Sequence, residues 1–235
     1  VDPVSDKYPS MSPYTYCANN PVKCVDPNGE DYEVVVDEKN HTMTIRAIYY
    51  TATENKEKLQ KGLDLWNSQS GKFSYVMGKG HDKQSYTINF DLTIAEGDFD
   101  ENQASSAFNS NKSGVENFMS SANDIVNENG ETVNGKASNN HILFRAEASS
   151  RTISHEIGHT LGIGDWQMPG ADQEDKGQLM TSGGNSNVIN RSHIATLLAV
   201  KGYCPPSLYT GISINIKNDF KVLPQKAQGV VRHIN

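Results

Sequence analysis

The sequence predicts one α/β (α+β) domain: a twisted, mixed and mostly parallel sheet with an antiparallel edge strand, a helix beneath it, and a smaller C-terminal part. Three observations predict it. From residue 31 onward, runs rich in Val, Ile, Tyr and Thr alternate with amphipathic stretches. A short apolar strand, His141–Ala146, leads into a helix pattern that Ser149 or Ser150 can cap. A second helix pattern covers 187–201, with Ile194, Leu197 and Leu198 on its core side, and Pro205-Pro206 ends it.

Taken in order, Asp31–Asp37 and His41–Thr53 read as strands around a turn at Glu38-Lys39-Asn40. Thr51 followed by Glu54 has the spacing of a capping box. The helix it opens carries Leu59, Leu63 and Trp66 on one face and stops near Gly71. Phe73–Met77 and Tyr86–Ile94 are further strands; in the second, Ile88, Phe90 and Leu92 alternate with polar residues. Residues 97–139 are rich in Asn, Ser, Gly and Asp and are expected to be mostly loop, with one short helix or edge strand around Val115–Met119. Residues 166–186 are loop-like. In the tail, Ile212, Ile214 and Ile216 alternate before a turn at Asn218-Asp219, the pattern of a hairpin with Phe220–Leu223.

Composition narrows the functional classes. With 235 residues the chain can build one sizeable core and a short appendage. Hydrophobic residues at 36% and charged residues at 21% describe a globular protein with polar loops rather than a disordered one. No apolar run approaches the roughly 18 residues of a membrane span. A net charge of −7 argues against nucleic acid as the main partner, since phosphate binding needs a basic surface. The cysteines Cys17, Cys24 and Cys204 form no Cys-x-x-Cys pair, so a Cys-rich structural zinc site is not expected; one bridge is possible and one thiol is left over.

Residues 1–30 differ from the rest. They hold five of the nine prolines, Pro3, Pro9, Pro13, Pro21 and Pro27, and show neither a period of 2 nor of 3.6. Asp26-Pro27-Asn28-Gly29 is a turn signal that closes the stretch. Alone it reads as a linker or extended arm, and a start at Val1 reads as a piece of a longer polypeptide. The run Tyr8–Val22 with Asp26-Pro27-Asn28-Gly29 resembles the end of the Rhs repeat-associated core of Bacteroidetes-type bacteria. That resemblance implies a variable C-terminal domain at 31–235, of the kind often used as a secreted or cell-surface toxin or effector, with a cognate immunity protein among its partners.

The chemistry lies in His155-Glu156-Ile157-Gly158-His159-Thr160-Leu161-Gly162-Ile163-Gly164-Asp165. Ile153, Ile157 and Leu161 make one apolar stripe at i, i+4 and i+8. His155 and His159 share another face, about 200° from that stripe, at a spacing suited to one zinc ion. Glu156 projects beside them and can take a proton from a water that zinc has acidified from a pKa of about 15.7 to roughly 7. Gly162 can adopt the left-handed conformation that ends a helix, so that Asp165 swings back as a third ligand and leaves the fourth position open. A carboxylate ligand makes the site less electrophilic than three histidines would. A bare His-Glu-x-x-His arises by chance in roughly one chain in a hundred, and Gly162 with Asp165 lowers this by about two further orders.

The extended pattern resembles the metzincin zinc peptidases, which follow it with a Met-containing turn. Leu179-Met180-Thr181-Ser182-Gly183 lies at a suitable distance, so the resemblance implies a zincin/metzincin-like fold, zinc as cofactor and Met180 beneath the metal. It covers roughly residues 41–203 in element order. It departs from the usual pattern in using Asp165, and in lacking a Tyr two residues after Met180. The implied activity is peptide hydrolysis in a monomer, with a protein or peptide substrate extended along the edge strand.

Plainer readings stand beside these. The histidines could lie on a solvated helix face; Asp172, Glu174 or Asp175 could replace Asp165; Met180 could be ordinary core. His41, His81, His141, His193 and His233 read as surface or satisfied core residues, and the Asp98–Asn102 run as a solvated turn. Cys24 upstream could ligate the metal and hold the enzyme latent, but packing of Cys17 and Cys24 in the N-terminal stretch outweighs that. The competing class is a non-catalytic, zinc-stabilised surface interaction module, against which Glu156 argues, because a structural site needs no base.

Overall fold

β-branched and aromatic residues put the first two strands where the pattern places them. The computed structural model describes residues 32–77, 81, 83–111, 113–165, 178–181, 183–201, 203 and 229–233. β1 (Glu33–Asp37) turns back into β2 (Thr42–Thr51), and α1 (Lys56–Asn67), β3 (Phe73–Met77) and β4 (Gln84–Ile94) follow. Then come α2 (Glu101–Ser110), β5 (Glu116–Ser121), β6 (Gly135–Ser138), β7 (His141–Phe144), α3 (Ser150–Thr160), α4 (Arg191–Val200) and β8 (Gly229–His233).

All eight strands form one mixed sheet, ordered β6-β7-β5-β2-β4-β3-β8, with β1 on β2 beside the start of β5. The centre is parallel: β2 pairs with β4 and β5, and β5 with β7. Antiparallel strands flank it, with β6 on β7 at one end and β3 and β8 at the other. The expected mixed α/β sheet and antiparallel edge strand are therefore present, but the sheet is not mostly parallel: among the described strands three pairings are parallel and four, including β1 with β2, are antiparallel, because hairpin-type returns add strands outside the parallel centre.

Alternation along β2 divides the molecule into layers. Met43, Ile45, Ala47 and Tyr49 face the main core with Leu59, Leu63 and Trp66 of α1 and Ile153, Ile157 and Leu161 of α3. Ile48 and Tyr50 face the other way, where Ala104, Ala107 and Phe108 of α2 pack with Phe118. The two core helices cross closely because Gly62 has no side chain: a Cβ there would sit 2.7 Å from Ile153 Cγ2. Trp66 Nε1 donates to the Ser154 carbonyl at 2.8 Å, and Thr160 Oγ1 meets Tyr49 Oη at 2.8 Å. α3 is thus pinned to both α1 and β2 before any ligand chemistry is considered.

Several sequence expectations need correcting. Thr51 does not cap a helix; it ends β2, and its hydroxyl donates to the Met119 carbonyl. A short 3-10 turn, Thr53–Asn55, intervenes before α1. The polar stretch 97–139 is not mostly loop. Asp100 and Gln103 form a reciprocal capping box that starts α2, so the Asp98–Asn102 run is a solvated turn only as far as the N-cap, with Lys56 on the Gly97 carbonyl and Asp98. The Val115–Met119 region is an inner strand, neither a helix nor an edge. Its polar residues are tolerated because Glu116 accepts from the Ser113, Gly114 and Val115 amides. The edge strand is β6 instead. α4 begins at Arg191, after residues 184–190, which form no regular element. The C-terminal β8 returns to the main sheet beside β3. The predicted 212–223 hairpin, residues 1–30 and all three cysteines lie outside the described residues.

Candidate metal centre

α3 supplies the site, and its ends explain the geometry. Ser149 accepts from the Thr152 amide as N-cap. At the other end Gly162 has φ +75°. The Gly162 amide donates to the His159 carbonyl at 2.9 Å, and the Ile163 amide to the Gly158 carbonyl at 3.0 Å. These two bonds are the paired bonds of a Schellman cap. The chain leaves the helix sharply enough for Asp165 to return to it.

His155, His159 and Asp165 offer three ligand atoms, all within 4.8 Å of one another, and form a group that can hold a metal ion. The two Nε2 atoms lie 3.1 Å apart, with Asp165 Oδ1 at 3.1 Å from His155 Nε2 and 3.8 Å from His159 Nε2. Tetrahedral zinc with bonds of about 2.05 Å requires ligand atoms about 3.3 Å apart. Both outward nitrogens are bonded: His155 Nδ1 donates to the Leu179 carbonyl at 2.9 Å and His159 Nδ1 to the Ile163 carbonyl at 2.8 Å. A carbonyl only accepts, so each Nδ1 carries a proton, and each ring in its neutral form aims the Nε2 lone pair inward. Asp165 Oδ1 is buried with no hydrogen-bond donor among the described residues. Three such groups facing one another in a shielded place can serve as the donor set of a cation, and their spacing is compatible with zinc.

Asp165 favours a positive charge between itself and the imidazoles, which a proton on His155 or a cation can supply. Burial opposes charge on both imidazoles. At His155 the Asp165 carboxylate and the Leu179 carbonyl outweigh it and its pKa moves up; at His159 burial, aided by the charge of His155, wins and its pKa moves down. Burial pushes Glu156 up to about 7, against the pull of His155 and the Ala137 backbone N–H. A cation at the triad would draw that value down again. A buried carboxylate near neutrality, held by an edge-strand amide, has the properties of a general base.

The site is more enclosed than helical periodicity implies. His155 is 7% and Glu156 5% exposed, because the 178–181 loop covers one side of the histidine face and β6 covers the Glu156 side. Met180, 1% exposed, lies against Gly158, between the two histidines in sequence. A Cβ on Gly158 would overlap Met180 Sδ and stand 3.2 Å from Trp66 Cζ2. Gly158→Ala is therefore expected to be destabilising despite a helix-propensity gain of about 1 kcal/mol, since overpacking costs about 1–3 kcal/mol. Thermal unfolding should show a Tm lower by several degrees; an unchanged Tm would mean that Met180 is not lodged there.

Four contributors were not legible in the sequence. Gly135 opens β6 directly over the Glu156 carboxylate: a Cβ would lie 2.9 Å from Glu156 Oε1. A lone glycine marking close backbone approach was the available signal, hidden within a polar stretch. Arg151 lies one turn before His155 on the same face and binds the Leu179, Thr181 and Ser186 carbonyls. The Leu179 and Ile163 carbonyls that orient the rings are main-chain groups, for which side-chain patterns carry no signal. The other histidines divide as expected where described. His193 is buried at the start of α4, bonded with Asn190, and burial lowers its pKa to about 4. His141 meets Ser120 at 3.0 Å, and His41 and His81 are exposed. Asp172, Glu174 and Asp175, the rival third ligands, lie outside the described residues.

No family model matches the chain, and neither a curated protein nor a solved structure resembles it significantly.

Proposed function

We propose that the chain is a zinc-dependent endopeptidase of metzincin type, carried behind the end of an Rhs core as a secreted effector or toxin. The observation that carries this reading is the triad, three inward acceptors spaced for one tetrahedral ion, with a buried carboxylate on the adjacent helix position. Gly162's cap and the seat of Met180 against Gly158 support the metzincin comparison.

Bound zinc would supply Lewis acidity for the scissile carbonyl and the attacking water. His155, His159 and Asp165 hold it, and the Leu179 and Ile163 carbonyls keep the rings aimed. Glu156 takes the water's proton and delivers it to the leaving amine. β6 pairs on one side with β7, so its other edge can receive an extended peptide beside Glu156. No helix among the described residues is long and apolar enough to cross a membrane.

The test is casein cleavage and self-cleavage by the purified chain, with elemental analysis. One zinc per chain is expected, with cleavage abolished by chelator and restored by zinc. Undiminished cleavage by metal-free protein would refute the assignment. One tightly held zinc that raises Tm, with no cleavage of casein or of the chain itself, would transfer it to the surface interaction module.

A further inference from the structure

We infer that Arg151 is a positioning residue for this metal centre, acting through the Leu179 carbonyl that orients His155. The inference rests on the metal-centre reading and adds to it a residue outside the His-Glu-x-x-His motif. Arg151 and His155 are four apart on α3, so both side chains leave the same face. They converge on one atom: the Leu179 carbonyl accepts from His155 Nδ1 at 2.9 Å and from Arg151 Nη2 at 2.9 Å. Nη2 uses its second hydrogen on the Thr181 carbonyl at 2.8 Å, and Nε donates to the Ser186 carbonyl at 3.0 Å.

Three carbonyls of one irregular loop are therefore gripped by one planar cation, on both sides of Met180. Among the described residues the loop's own backbone bonds include Leu179 N to Val188 O, Thr181 N to Gln178 O and Gly184 N to Thr181 O, and Val188 N donates to Ser186 Oγ. Gly184 permits the grip, since a Cβ there would stand 3.0 Å from Arg151 Nη2. No carboxylate pairs with Arg151 among the described residues. Its fork geometry fits three divergent acceptors in a way that a lysine's point charge does not. If the loop drifts, the Leu179 carbonyl drifts with it, and His155 loses the bond that fixes its tautomer and its aim.

The test measures zinc affinity of the purified full chain by competition with a chromogenic chelator, for the parent, Arg151→Met and Arg151→Lys. The Tm of each metal-free protein and the d–d absorption of cobalt-loaded samples are recorded alongside. Loss of a partner to a metal-ligating histidine typically weakens binding by about 10- to 100-fold. That loss is expected for R151M, with a shifted or broadened cobalt band, and R151K is expected to fall between it and the parent. A merely structural role would lower the metal-free Tm and leave the zinc affinity of the folded variant within about twofold of the parent; that result overturns the inference. If R151M does not fold, R151K decides on the same readout, where parental affinity overturns it and an intermediate loss supports it. A parent that binds no zinc removes the metal centre itself, which is a distinguishable failure.

Discussion

Replacing Glu156 by Gln is expected to lower peptide hydrolysis by about 10²–10⁴-fold, the usual worth of a positioned general base. Gln keeps the volume and can still accept the Ala137 N–H with its carbonyl oxygen. What it loses is the ability to take and return a proton. The stability change should run the other way. Glu156 is 5% exposed and its carboxyl is pushed up to about 7 by burial, so the charged form is held at an energetic disadvantage. A neutral amide removes that disadvantage, and the Tm of E156Q is expected to equal or exceed the parent's. Zinc stoichiometry should stay at the parent's value, because Glu156 is not among the three ligands. Steady-state cleavage of a fluorogenic peptide, with Tm and zinc content on the same samples, checks all three. A Gln variant that cuts as fast as the parent would eliminate the proposed proton transfer.

Part of the site was legible in the sequence. Whatever depends on local spacing could be read directly. His155, Glu156 and His159 share a rigid helix, so their separation follows from 3.6 residues per turn. Gly162 announces a left-handed turn because other residues resist that conformation, and its φ is +75°. The apolar stripe of Ile153, Ile157 and Leu161 is wholly buried, as its period requires. Contributions that depend on distant chain segments were hidden. β6 is four polar or small residues whose role comes from β7 and α3, and nothing in Gly135-Lys136-Ala137-Ser138 alternates in hydrophobicity. β5 buries Glu116 and Asn117, against the expectation for polar residues, because loop amides satisfy the Glu116 carboxylate. α2 was missed for a different reason. Its Asp100–Gln103 capping box was readable, but the surrounding Asn and Ser content masked a helix whose apolar face is only Ala104, Ala107 and Phe108.

Asp165→Ala is the variant that bears hardest on the metal site, since Asp165 is the ligand least determined by helix geometry. Structural zinc sites with four ligands bind with about 10–16 kcal/mol, so one ligand accounts for roughly 3 kcal/mol. Zinc affinity should then fall on the order of a hundred- to a thousandfold, read by chelator competition. The loss has two physical sources. One coordinate bond disappears, and so does the only carboxylate in the triad, which balances part of the ion's charge. Asp165→His separates them: it restores a donor but not the negative charge. Its affinity should recover in part, and the more electrophilic ion should shift the acid limb of the pH–rate profile to lower pH, because water ionises more readily beside a less neutralised ion. The variant also decides between third ligands. If Asp172, Glu174 or Asp175 completes the site, D165A binds zinc like the parent and the Schellman turn at Gly162 has no coordination role. A hundredfold loss in D165A, with unchanged binding in alanine variants of the three rivals, places the third ligand at Asp165 and ties that turn to the metal.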